Sequence, residues 1–189
     1  MILSLCGFMG CGKSTVGRNL AAFVYSDYID LDNYIESKLG ISVSEFFALN
    51  GEAAFREAER AALEEILNGY GSCYCTGESA PEGLKMKRHD NLIISLGGGA
   101  PTYPPTAKLI KERTFCVYLN ASREALFRRL SKNSAKRPVL QGKQGKELMA
   151  AIDELVSRRE GCYKEVAQME LCSSALSIVQ LTERLSKLF

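Results

Sequence analysis

The segment Gly7-Phe8-Met9-Gly10-Cys11-Gly12-Lys13-Ser14 constrains the fold more than any other stretch of the chain. It matches the pattern G-x-x-x-x-G-K-[ST], which cradles phosphate when it joins a strand to a helix. Its flanks comply. Ile2–Cys6 reads as a short buried strand, and Val16, Leu20, Phe23 and Val24 recur at helical spacing. Glycines let successive N–H groups turn inward around an anion, and the helix N-terminus adds its positive dipole end. Lys13 is then expected to bridge the β- and γ-phosphates of a nucleoside triphosphate, and the Ser14 hydroxyl to ligate Mg²⁺. Gly10, Cys11, Gly12, Lys13, Ser14 and Thr15 form the expected nucleotide-binding run. The motif is silent about the acceptor of the phosphoryl group.

A strand that must deliver its loop to a helix predicts more of the same downstream. Further β-like runs are Tyr28–Asp30, Leu92–Leu96, Phe115–Leu119 and the weaker Met169–Cys172. Helical periods separate them: Leu31, Ile35 and Leu39, closed by Gly40; Phe55, Ala62, Leu63 and Ile66; and Leu126 with Leu130 after an N-cap at Ser122. Leu148, Ile152, Leu155, Val156 and Val166 share one stripe of a long helix, and Ile178, Leu181, Leu185 and Leu188 mark the last. Alternating strands and helices predict an α/β fold with parallel strands and helices on both faces, a three-layer α/β/α domain. At 189 residues the chain is expected to be one domain, 1–189. Two stretches break the rhythm. Gly69–Asp90 has no period and reads as an insertion or mobile loop; Ser131–Lys146 is polar and basic.

Composition excludes several alternatives. A net charge of +2 is too balanced for a nucleic-acid binder that relies on bulk charge. A single histidine, His89, rules out multi-histidine zinc sites. Seven scattered cysteines suit reduced thiols in a cytoplasm better than a disulfide framework. The apolar start, Met1 to Gly10, lacks the basic flank and cleavage site of a signal peptide and is interrupted at Lys13, so no membrane association is expected. Cys73-x-Cys75 with His89 is too small a set for a closed zinc site, and Cys11 is either a redox-sensitive thiol or simply a small tolerated side chain.

Positive and negative charge is informative only locally. Asp30 and Asp32 sit at the end of the second strand, where carboxyl-terminal strand ends face the ligand crevice. One carboxylate could hold Mg²⁺ through water and the other orient or deprotonate an acceptor hydroxyl; Asp30 could equally cap the following helix, with Asp32 in its first turn. Gly97-Gly98-Gly99 permits close approach of a ligand to backbone N–H groups, or makes a tight turn. Glu59 falls on the apolar face of its helix, with Arg56 one turn away at the edge. The two are either a surface pair worth a few tenths of a kcal/mol or, with Glu59 buried, a device that aims Arg56 at something negative. Arg159 falls inside the apolar stripe of the long helix and Arg158 outside it, so Arg159 needs an anionic partner. Two positioned arginines suggest a carboxylate-bearing acceptor. Arg137-Pro138 lies in the basic stretch, which is either solvated surface or a lid that sets Arg137 against the transferring phosphoryl group.

Taken in order, the phosphate loop, Asp30-x-Asp32, Phe55-Arg56-x-x-Glu59, Gly97-Gly98-Gly99, Arg137-Pro138 and Arg159-x-x-x-Tyr163 resemble the shikimate kinases, a nucleoside-monophosphate-kinase-like P-loop family. The resemblance spans nearly the whole chain. It implies a five-stranded parallel sheet with a lid at about 131–146, and transfer of the γ-phosphate of ATP to the 3-hydroxyl of shikimate in aromatic amino-acid biosynthesis. It further implies that Asp32, Arg56, Gly98, Gly99 and Arg159 bind shikimate, with Arg56 and Arg159 on its carboxylate. Lys13, Asp32 and Arg137 would be catalytic, with Asp32 as the base. Ser14 and Asp30 would serve Mg²⁺, and Arg129 would match the arginine that stacks on adenine, with Arg137 also on the nucleotide. Shikimate and ATP are the expected partners of a monomer, with no nucleic acid. The resemblance breaks at the Gly69–Asp90 loop, longer than the family's usual connection, and at a proline missing around Cys172–Ala175. A kinase for gluconate or a nucleotide, and a nucleotide-dependent binding module, are the competing expectations.

Overall fold

A computed structural model describes residues 1–72, 91–132, 140 and 142–189. Its strands are β1 (Ile2–Cys6), β2 (Asp27–Asp30), β3 (Leu92–Ser95), β4 (Phe115–Asn120) and β5 (Met169–Cys172). Its helices are α1 (Lys13–Phe23), α2 (Leu31–Leu39), α3 (Val43–Ser72), α4 (Pro104–Arg113), α5 (Arg123–Leu130), α6 (Gly145–Val166) and α7 (Ile178–Ser186), with a short 3₁₀ turn at Ala100–Thr102. The strands form one sheet in the order β2-β3-β1-β4-β5, and every pairing is parallel.

That order dictates where the helices go. Crossovers between parallel strands are right-handed, so a connection running one way along the sheet lies on one face and a connection running the other way lies on the opposite face. The chain leaves β1 toward the β2 edge through α1, and returns across the sheet through α3, α4 and α6. Accordingly α1 packs against α7, whereas α4 packs against both α3 and α6. The central strands are wholly buried: Leu3, Leu5, Leu92, Ile93, Ile94, Val117 and Leu119 have no exposed surface. Unbroken apolar runs are what a sheet covered on both faces requires.

The direction of travel reverses between β1 and β3, whose connections diverge to opposite faces. Such a switch point opens a crevice at the carboxyl ends of the strands. The loop after β1 and the glycines after β3 therefore lie side by side, joined by the Leu96 N–H donating to the Leu5 carbonyl at 3.0 Å.

The helix signals are placed as expected, with three differences. Gly40 closes α2 in the left-handed region at φ 69° and Ser122 caps α5 by accepting from the Ala125 N–H. However, α3 runs on to Ser72, so the first residues of the proposed 69–90 insertion are helical backbone. Likewise α6 begins at Gly145, inside the proposed 131–146 lid, and Leu140 within that stretch is fully buried. The third difference is α4, which opens on two prolines and carries too few apolar residues to show a period; Pro at the first helical positions starts it. Among the described residues no helix is long and apolar enough to cross a membrane. Cys73, Cys75, His89 and Arg137 lie outside the described residues.

Candidate active site

The loop from Gly7 to Gly12 turns because Gly10 and Gly12 adopt φ 82° and 103°, where a side chain is strained. Gly12 is the N-cap of α1 and offers no side chain to the first turn, which leaves those N–H groups for an anion. Lys13 Nζ donates to the carbonyls of Gly7 and Phe8, at 2.8 and 3.2 Å, so its charge lies over the loop. Ser14 Oγ donates to Asp30 Oδ2 at 2.7 Å. The other oxygen of Asp30 accepts from the Asn33 N–H at 3.5 Å, capping α2. The capping reading of Asp30 is borne out, and its second oxygen faces the loop through Ser14. A hydroxyl and a carboxylate brought together beside the phosphate loop are hard oxygen donors of the kind Mg²⁺ takes, so the residues present fit that ion.

The loop is also held from the β4–β5 end of the sheet. Arg129, on α5, donates from Nη1 to the Gly10 carbonyl at 3.0 Å and from Nη2 to the Ser173 carbonyl at 3.1 Å. Buried Ser173 donates its own hydroxyl to the Cys11 carbonyl at 2.6 Å. Cys11 is itself buried, its Sγ 3.9 Å from Lys13 Nζ. Ser173 stands where the family resemblance expects a proline nearby, and nothing in the sequence marked it. A cleft of about 520 Å³ runs over these groups, lined by Met9 to Val16, Asp30, Asp32, Gly98, Arg129, Ser173 and the start of α7. Thr15 lines it too, from the exposed side of α1.

A second cluster assembles beside it. Phe55, Ala62 and Ile66 are buried, and Glu59 shares their face with no exposed surface. Its Oε2 accepts from Arg56 Nη1 at 3.2 Å, while Arg56 Nη2 donates to Glu52 at 2.9 Å. Oε1 of Glu59 has no hydrogen-bond partner among the described residues. Burial pushes the Glu59 carboxyl up to about 7; Arg56 opposes that shift and Asp32, a like charge, adds to it. The glycines after β3 let these side chains in. A Cβ at Gly97 would collide with Glu59 Oε1 and crowd Asp32 Oδ1, and one at Gly99 would collide with the Arg56 guanidinium. Gly98 sits against the phosphate loop, where an added Cβ would lie 3.4 Å from the Met9 nitrogen.

From the third side, α6 contributes Arg159, half-buried and donating to the Gly98 carbonyl at 3.4 Å, whereas Arg158 is exposed. The Tyr163 hydroxyl donates to the same carbonyl at 2.6 Å. Asp32, in the first turn of α2, lies between this cluster and the phosphate loop. The structure thus brings Lys13, Ser14, Asp30, Asp32, Gly98 and Arg129 into the lining of one cleft, and sets Gly99, Arg56 and Arg159 next to Gly98 and Asp32 outside that lining. In the sequence Tyr163 is marked only as the last residue of the pattern Arg159-x-x-x-Tyr163 that carries the family resemblance.

Comparison with known proteins gives one answer. A family model described as shikimate kinase matches residues 9–88 and 83–188. A curated shikimate kinase of Parabacteroides distasonis is 37% identical over 86% of this chain and 83% of its own length. The crystal structure of shikimate kinase from Bacteroides thetaiotaomicron superposes with a TM-score of 0.82 at 33% identity, covering 100% of this chain and 97% of that one. Shikimate kinase from Acinetobacter baumannii, solved in complex with shikimate, gives 0.79 at 28% identity, over 99% of this chain and 91% of that one.

Proposed function

This chain belongs to the shikimate kinase family, which transfers the γ-phosphoryl group of ATP to the 3-hydroxyl of shikimate, and we propose how its own residues divide that work. The carrying observation is the second cluster. A guanidinium aimed by a fully buried carboxylate, a second guanidinium from α6 and two close-packed glycines meet beside the phosphate loop. A nucleotide switch needs no such pocket.

Arg56 and Arg159 clamp the substrate carboxylate, and the Gly98 and Gly99 backbone lies along the ring. Asp32 sits between clamp and phosphate loop, placed to take the proton of the attacking hydroxyl. As that O–H bond breaks, the oxygen bonds to the γ-phosphorus and ADP leaves. Lys13, with the N-terminal turn of α1, stabilises the charge on the transferring group. Ser14 and Asp30 would hold Mg²⁺, which when bound neutralises phosphate charge. Arg129 is assigned to the adenine, and Arg137, assigned to the transferring phosphoryl group, lies outside the described residues. The cysteines Cys6, Cys11, Cys116, Cys162 and Cys172 are free thiols, in keeping with a reducing cytoplasm. One 189-residue domain carries both sites, so a monomer suffices.

The test is ADP formation with shikimate, quinate, gluconate and nucleotides as acceptors, with calorimetric titration of ATP and shikimate separately and together. Strong stimulation by shikimate is expected. No stimulation by shikimate would overturn the assignment.

A further inference from the structure

The bond between Tyr163 and Gly98 has no part in the scheme above, yet among the described residues it is the shortest hydrogen bond to the glycine triplet. Tyr163 has no exposed surface, and its ring packs against that of Tyr118 with centroids 5.3 Å apart. Its backbone carbonyl is anchored in turn, accepting from Cys6 Sγ on β1 at 3.9 Å. The phenol is therefore fixed by the core at both ring and backbone, and its hydroxyl reaches out of the core to one acceptor, the Gly98 carbonyl at 2.6 Å. Arg159 shares that carbonyl from 3.4 Å, a weaker contact.

The peptide between Gly98 and Gly99 is planar and trans, so its C=O and N–H point in opposite directions. Holding the Gly98 carbonyl toward α6 therefore aims the Gly99 N–H away from α6. A peptide flanked by two glycines has little steric preference of its own, because neither residue has a Cβ to oppose rotation. Something outside the triplet must choose its orientation. Thr102 fixes the next peptide by donating from Oγ1 and from its N–H to the Gly99 carbonyl, at 2.7 and 2.9 Å. Only the contacts from α6 fix the Gly98 carbonyl among the hydrogen bonds described.

We propose that Tyr163 is a positioning residue for the acceptor: its buried hydroxyl holds the Gly98 carbonyl and so sets the Gly98–Gly99 peptide. This rests on the assignment of Gly98, Gly99 and Arg159 to the shikimate site. Burial also pushes the Tyr163 phenol far above its ordinary value, so it remains a donor throughout the neutral range. The device works by hydrogen-bond geometry alone and is indifferent to pH there.

The test is Tyr163→Phe, which keeps the ring in its packing, with Tyr118→Phe as the control that removes the hydroxyl of the neighbouring ring, which is not among the described donors to Gly98. The expected result is a rise in the shikimate KM of about tenfold, the scale of one buried hydrogen bond. The ATP KM and kcat should change less than about twofold, and Tyr118→Phe should leave the shikimate KM unaltered. A merely structural role would instead lower thermal stability and disturb both KM values together, or show the same change in Tyr118→Phe; either result overturns the proposal. Arg159→Ala, measured alongside by shikimate titration, separates the two levels. If it abolishes shikimate affinity while Tyr163→Phe changes nothing, the positioning role fails and the site stands. If neither weakens shikimate, both fail.

Discussion

The proposed nucleotide side and the proposed acceptor side of the site are built by different means. The nucleotide side is one continuous turn of chain, and the groups that steady it reach for its backbone: Lys13 to Gly7 and Phe8, Arg129 to Gly10, Ser173 to Cys11. The acceptor side has no segment of its own. It is a meeting of α2, α3, the loop after β3 and α6, and its groups reach for one another or for a single glycine carbonyl. A phosphate can be recognised by successive N–H groups of one turn. A small ring bearing a carboxylate and hydroxyls must be met from several directions at once, and convergence from distant elements is how a fold supplies directions. The acceptor side also carries more electrostatic tension, since it holds a wholly buried carboxylate whose second oxygen has no partner among the described residues.

If the division is real, the largest effect comes from the residue between the sides. Asp32→Asn should lower kcat by about 10²- to 10⁴-fold, the range of a lost general base, while ATP affinity by direct titration stays within about twofold. An unchanged turnover number would remove Asp32 from the chemistry. A smaller effect, confined to the nucleotide side, is expected of Ser173→Ala. Losing its bond to the Cys11 carbonyl should raise the ATP KM about fivefold, leaving the shikimate KM alone. An equal rise in both constants would mean that the sides are one mechanical unit.

The smallest effect is one of stability. The Glu59 carboxyl stands at about 7 in the folded chain against an ordinary 4.5. Between those values the folded state keeps a proton that the unfolded chain has released. Its stabilisation is therefore complete below about 4.5 and is lost as the pH rises through about 7. Glu59→Gln, which cannot titrate, should show a flatter dependence of the urea midpoint over that window than the parent protein. Parallel curves would show that Glu59 does not hold its proton.

The same contrast explains what could be read before any coordinates. The phosphate loop was legible because its requirements are local: glycines where φ turns positive, a lysine and a hydroxyl at fixed spacing. Glu59 and Arg159 were legible at one remove, since a charged residue on an apolar helical stripe must be answered by something, but the phase does not say by what. Ser173 was not legible. Its value lies in a carbonyl 162 positions away, and no spacing rule links a short loop after β5 to a turn after β1. Helix α4 was missed for a different reason, because few apolar residues anchor it and its two leading prolines read more readily as a break. The tail of α3 was missed because Gly69 and Gly71 lower helix propensity while leaving the backbone free to continue. Arg137, expected over the phosphoryl group, is outside the described residues.

The strand order has a consequence for the birth of the protein. β1 is made first, yet its two neighbours are β3, pairing from Ile2 with Leu92, and β4, pairing from Leu3 with Phe115. A ribosome that has finished the phosphate loop has made neither wall of the sheet that shapes it. Such distant pairings make closure slow and late. Nascent chains that end before Asn120 therefore carry the nucleotide motif without its grip. Arg129 and Ser173, which steady the loop through its carbonyls, are made later still, so the loop gains its full set of contacts only after β5 has been synthesised.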